Sequence, residues 1–103
     1  MAQGDAPVLA TLAEMNVASI ARVELDPAVL IVVRLAALVA ADAPPASYLM
    51  HIGPALDNGV TLDDLQDVLV AVAPIVGTAK VLTAAGNIAE ALGVAIAVAE
   101  EMA

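Results

Sequence analysis

Apolar positions recur along this chain with a helical period rather than a strand period. Val8, Leu9, Leu12 and Met15, with Val17 beside them, fall at i, i+1, i+4 and i+7 and mark one stripe of a first helix over Ala6–Asn16. Ala18–Leu25 either extends it or turns. Asp26-Pro27 opens a second helix. Aspartate at the N-cap can accept free N–H groups, and proline fits the first helical position. The helix runs to about Ala41 as AVLIVVRLAALVAA. Its β-branched run would also suit a strand; its length, the Asp-Pro start and the alanines favour a helix. Valine, isoleucine and leucine occupy every side, which predicts burial all round.

Asp42-Ala43-Pro44 breaks that helix, with Asp42 placed to cap the next. Pro45–Asn58 is a third helix. It stops at Asn58-Gly59, where glycine takes the left-handed conformation cheaply. Thr61-Leu62-Asp63-Asp64 is close to a capping box, and Leu62, Leu65, Val68, Leu69 and Val72 give a fourth amphipathic helix. It stops or kinks near Pro74, because proline lacks a donor and clashes with the preceding turn. Gly77-Thr78 restarts the chain, and Ala79 to about Glu100 forms a last long helix. Gly86, Ala89, Gly93 and Ala97 share one face of it. Glycine inside a helix costs roughly 0.5–1 kcal/mol relative to alanine, so the stripe implies a closely packed neighbouring helix, in the same chain or a second one. Tolerated variation is the plainer explanation. The expected architecture is a single all-α domain over residues 1–103, with five helices (four to six on these signals) and no sheet.

Composition changes the picture in one respect. Of 103 residues, 62% are hydrophobic, against ~45–50% in typical soluble domains. A domain this small buries only about two thirds of its unfolded surface. The surplus must enter a membrane or be covered by copies of the same chain. A spanning helix needs roughly 20 apolar residues. Arg34 splits the run from Pro27 to Ala41, and the run from Val68 meets Pro74 and Gly77 before Lys80. The first residues carry no basic, apolar leader. The expectation is a cytoplasmic homo-oligomer and no membrane segment.

The net charge of −9, with Arg22, Arg34 and Lys80 the only strong bases, argues against nucleic acid, whose phosphates need clustered Lys and Arg. Without cysteine there is no disulfide, thiolate metal site or thiol redox chemistry. Asp63, Asp64 and Asp67 suit a helix N-terminus better than a metal site. No metal or cofactor is expected.

Candidate chemistry centres on His51, the only histidine, and Tyr48, the only tyrosine. On a helix, Ser47 and Tyr48 lie four and three residues before His51 and can share its face. Hydroxyl, phenol and imidazole are partners of acid–base chemistry. A histidine half-buried at a helix contact, bonded to a carbonyl, is the commoner meaning of such spacing. Arg34 sits mid-helix with apolar neighbours at Leu30, Ile31, Ala37 and Leu38. A guanidinium there needs a partner: a carboxylate such as Asp42 or Asp67, another subunit, or an anionic ligand.

Taken in order, Leu25-Asp26-Pro27, Val33-Arg34-Leu35-Ala36, His51, Gly59-Val60-Thr61 with Asp63-Asp64, and Val76-Gly77-Thr78-Ala79-Lys80 resemble the carboxymuconolactone decarboxylase family, which includes the alkylhydroperoxidase D-like proteins. The resemblance is strongest over residues 23–92. It implies an orthogonal all-helical bundle that assembles as trimers or hexamers. The peroxidase branch carries Cys-x-x-Cys-x-x-x-His. Here the cysteine positions are Ser47 and Pro44, the intervening His or Tyr falls at Pro45 or Ala46, and the relay glutamate falls near Ile31–Val32. Only His51 remains, and a serine hydroxyl cannot perform thiol–peroxide chemistry. The decarboxylase branch implies His51 as an acid/base on a small carboxylate or lactone, with Arg34 on the carboxylate.

Three readings stay open. One is a helical oligomer that binds a small ligand or partner without catalysis. Another is a lyase-type enzyme with His51 as general acid/base and Ser47 and Tyr48 orienting the substrate. The third is a subunit kept for assembly alone. An apolar cavity without converging polar groups favours the first, a cavity facing His51 the second, and a sealed His51 the third.

Overall fold

The computed structural model describes residues 2–102. Among them it has five helices and no strand: α1 (Ala2–Arg22), α2 (Pro27–Ala40), α3 (Pro45–Asp57), α4 (Leu62–Val76) and α5 (Thr78–Met102). The expected all-α, five-helix architecture is observed. The first helix is longer at both ends than its periodic stripe.

Helices α2 to α5 form the bundle. Ile31, Leu35 and Val39 of α2, Tyr48, Ile52 and Ala55 of α3, Leu65 and Val68 of α4, and Ala84, Ile88 and Ala91 of α5 make one buried core. Each set recurs every three or four residues, so each helix buries one stripe. This corrects the expectation for α2. It is not buried all round: Val29 and Val33 are exposed.

Two helix ends set the turns that build the bundle. After α2, Asp42 takes the left-handed conformation (φ 56°). The Ala43 N–H bonds the Leu38 carbonyl at 3.0 Å and the Asp42 N–H bonds that of Val39 at 3.2 Å. That is a Schellman closure, with a non-glycine residue where glycine is usual. Asp42 therefore ends α2 instead of capping α3, whose N-cap is Pro44. Nor does the Asp26 side chain cap α2. After α3 the same closure recurs at Gly59 (φ 82°), with the Val60 N–H on the Ala55 carbonyl at 2.9 Å.

The α4 capping box forms as expected. The Asp64 N–H bonds Thr61 Oγ1 at 3.1 Å and the Thr61 N–H bonds Asp64 Oδ2 at 2.9 Å. Pro74 does not end α4, which continues to Val76. Helix α5 is tied to the α2–α3 turn by Lys80 Nζ on the Ala40 carbonyl and Asn87 Nδ2 on the Ala43 carbonyl, each at 3.1 Å. The ammonium sits where a helix C-terminus favours positive charge.

Two features qualify the expectations from run length and small residues. Thr78–Val98 is one helix long and apolar enough to cross a membrane by length and composition, with mean hydropathy 1.8. The runs tested from the sequence stopped at Lys80 and did not reach it. The stripe Gly86, Ala89, Gly93 and Ala97 lies on the open side of α5, and nothing approaches a Cβ position at Gly86 or Gly93 within 4 Å. No helix of the same chain packs closely there.

Among the described residues, α1 packs against no other helix and meets the bundle through hydrogen bonds to Arg34. Its Val8, Leu9, Leu12, Met15, Val17 and Ile20 are all at least half exposed. The accessible surface is 6919 Å², against about 5,400 Å² for a compact monomer of this mass. The radius of gyration is 14.6 Å, against about 13 Å for a compact chain of this length.

Candidate functional site

The face of α3 decides how its three candidate residues are placed. Tyr48 belongs to the buried stripe with Ile52 and Ala55, and its side chain is fully buried. Ser47 and His51 lie half-buried on the flank. The phenol thus points into the core and does not join the imidazole. The His51 Nδ1 lies 2.7 Å from the Ser47 main-chain carbonyl oxygen. A carbonyl only accepts, so Nδ1 carries the proton, and Nε2 is the acceptor of the neutral ring. What Ser47 contributes to His51 is its backbone.

Among the described residues, the Tyr48 hydroxyl has no hydrogen-bond partner. Burial, and secondarily the Asp42 carboxylate, push its pKa above the ordinary value of 10.0. Both disfavour the phenolate.

Arg34 is half-buried and reaches α1. It donates through Nη1 to Asn16 Oδ1 and through Nη2 to Ser19 Oγ, the latter at 3.0 Å. Neither Asp42 nor Asp67 is its partner, contrary to expectation. The guanidinium is satisfied by neutral oxygens that leave its charge uncompensated. Sequence reasoning missed both partners. The available signal was Asn16 and Ser19, two polar residues three apart on α1, hence on one face.

The concave surface lies elsewhere. A groove of about 230 Å³ runs between α4 and α5, lined by Leu62, Leu65, Gln66 and Leu69 on one side and Ala85, Ile88, Ala89 and Leu92 on the other. Gln66 is its one polar side chain. A second concavity lies on α1 alone, between Pro7, Val8, Thr11 and Leu12. Ser47, Tyr48, His51 and Arg34 line neither. The structure therefore joins His51 to Ser47 through one hydrogen bond, and does not unite the four candidates in one site. Nothing in the periodicity separated the groove residues from ordinary core residues.

The model of one protein family, the carboxymuconolactone decarboxylase family, matches residues 6–91. The chain belongs to that family. The match takes in α1, which the resemblance read from sequence motifs left out. No curated protein and no solved structure matches the chain. Within the family this member has no cysteine, and thiol peroxidase chemistry is closed to it.

Proposed function

We propose that this chain is a homo-oligomeric, non-thiol member of the carboxymuconolactone decarboxylase family that binds a small apolar molecule between α4 and α5. The observation that carries the reading is the groove itself: leucine, isoleucine and alanine walls with a single amide, Gln66. Ligand sites are typically concave and apolar with a few orienting polar groups. One amide suits an apolar body with one hydrogen-bonding group. Acid–base catalysis in that groove lacks a titratable side chain in its lining.

The surplus surface supports self-association. The accessible surface exceeds that of a compact monomer of this mass, and large apolar residues are exposed on all five helices, more of them on α1 than on any other. We assign the open side of α5 to protein contacts and not to lipid. Asn87 and Glu90 fall near the middle of the helix, where charge is costly in a bilayer, and one stripe of the helix is already seated on the bundle.

The test is titration with a neutral, environment-sensitive naphthylamine dye, clean here because the chain has no tryptophan. The dye should bind, Ala89→Leu should weaken binding at least tenfold by filling the groove, and His51→Gln should leave it unchanged. Wild-type affinity in Ala89→Leu would refute the assignment. One observation favours a second reading, a lyase with His51 as base: the Nδ1 bond to Ser47 leaves Nε2 as a proton acceptor. Under that reading, turnover of a small lactone or carboxylate disappears in His51→Gln.

A further inference from the structure

Among the described residues, α1 has no partner in its own chain apart from the two Arg34 hydrogen bonds, yet it presents Val8, Leu12 and Met15 in one row. The α4/α5 groove has two walls and no roof. Its rim on α5 continues into Ala89 and the Gly86–Gly93 side, where, beyond the helix's own local backbone, no atom of the described residues stands within 4 Å of either glycine's Cβ position. A surface without side chains is one a helix can approach closely. Two helix-interior glycines left uncovered cost stability, and a helix seated on them offsets that cost.

We propose that α1 of a second copy roofs this groove, so that the ligand is held between α4 and α5 of one protomer and α1 of its partner. The inference rests on the ligand reading above. The areas agree. The chain exposes roughly 1,500 Å² more than a compact monomer of its mass. A stable interface takes about 800 Å² from each partner. Each protomer would use two such patches, one as the arm it gives and one as the groove it offers. Together they account for the surplus. An arm-to-groove contact is heterologous, so it closes by reciprocal exchange in a pair or by a ring of three or more. The Val23–Asp26 link lets α1 be carried by the body while packing outside it. Arg34, held to Asn16 and Ser19, fixes the direction in which the arm leaves.

The absence of native cysteine makes a clean test. Full-length Leu12→Cys and Gln66→Cys chains, differently tagged, are co-expressed and mildly oxidised. Each has one thiol, so any cross-link joins two copies. The expected product is the mixed Leu12→Cys/Gln66→Cys disulfide. Leu12→Cys joined to itself, the sign of α1 paired with α1, overturns the proposal, and so does absence of the mixed product. Leu12→Glu is the second arm of the test. Leu12 is 53% exposed, so the fold by circular dichroism should be unchanged while the oligomer dissociates and dye affinity falls at least tenfold. Equal dye affinity in wild type and Leu12→Glu refutes the roof and spares the ligand site. A mixed disulfide in a protein that binds no dye refutes the ligand site and spares the docked arm.

Discussion

Replacing Tyr48 by phenylalanine should stabilise the protein. The side chain is fully buried, and its hydroxyl meets no donor or acceptor. Leaving such a group unsatisfied costs about 1–3 kcal/mol. Removing the oxygen recovers that cost and opens a void of about 10 Å³, worth roughly 0.3 kcal/mol against the variant. The net expectation is a gain of about 1 kcal/mol or more, or ~4–8 °C in Tm for a domain of this size. Urea denaturation followed by circular dichroism measures it, at matched protein concentration, because the proposed self-association would contribute to apparent stability. A loss of about 0.5 kcal/mol would show that the phenol has a partner, water included, and would refute the reasoning.

The same variant carries a pH signature. Burial and Asp42 raise the Tyr48 pKa above 10.0. Above pH 10 the unfolded chain releases the phenol proton while the folded chain still holds it. The folded state then binds more protons, so stability falls as pH rises, from about 10 up to the raised folded value. Phenylalanine has nothing to release. The stability difference between Tyr48→Phe and wild type should therefore widen in favour of the variant above pH 10. A constant difference across that range contradicts the burial of the hydroxyl.

Asp42→Gly should stabilise by several tenths of a kcal/mol, since relief of the left-handed strain exceeds the entropy glycine adds to the unfolded chain; it should also bring the Tyr48 titration, followed by tyrosinate absorbance, closer to 10. Thr61→Ala should cost about 1 kcal/mol in urea denaturation through loss of the α4 capping box. Lys80→Met should cost about 0.5–1 kcal/mol by removing the bond to the Ala40 carbonyl, with the loss smaller at high salt. Leu35→Ala should cost 2–5 kcal/mol, as Leu35 is one of the most buried large side chains in the bundle.

Helix boundaries were legible wherever local chemistry governs them. Asp26-Pro27, Asn58-Gly59 and Thr61-x-x-Asp64 each place a helix end by backbone hydrogen bonding or φ preference, and all three ends lie where those residues put them. Two signals misled because one residue type admits two roles. Asp42 reads as an N-cap, yet the Ala43 bond to Leu38 requires a left-handed residue before it, and aspartate tolerates that conformation. Pro74 reads as a stop or a kink near that point; two further residues fit inside the helix before Gly77, the left-handed residue (φ 91°) that ends it. The candidate site was less legible. Ser47, Tyr48 and His51 have the spacing of one face, but the core takes Tyr48, the largest side chain in the buried cluster that also holds Leu35 and Val39. Spacing states which side chains can meet; volume decides which are drawn inward.

The arginine makes the same point from the charged side. Arg34 stands at i+3 from Ile31 and beside Leu35 on α2, so its stem passes close to the core and its head must leave it. A carboxylate from α4 would have to follow it into the bundle, at a desolvation cost for two ions. Asn16 and Ser19 meet the guanidinium outside, with neutral oxygens and one exposed helix between them. That solution demands a polar pair on α1 at the height of Arg34, and Val8, Leu12 and Met15 precede the pair along the same helix face. Exposed large aliphatic residues occur on all five helices, and α1 carries the longest set, from Val8 to Ile20. A chain that needed only to fold would gain solubility by placing charges at Val8, Leu12 and Met15, since no contact within the protomer depends on them. Their apolar character is what the proposed docking of α1 on a second copy requires, and a charge placed at Leu12 tests it.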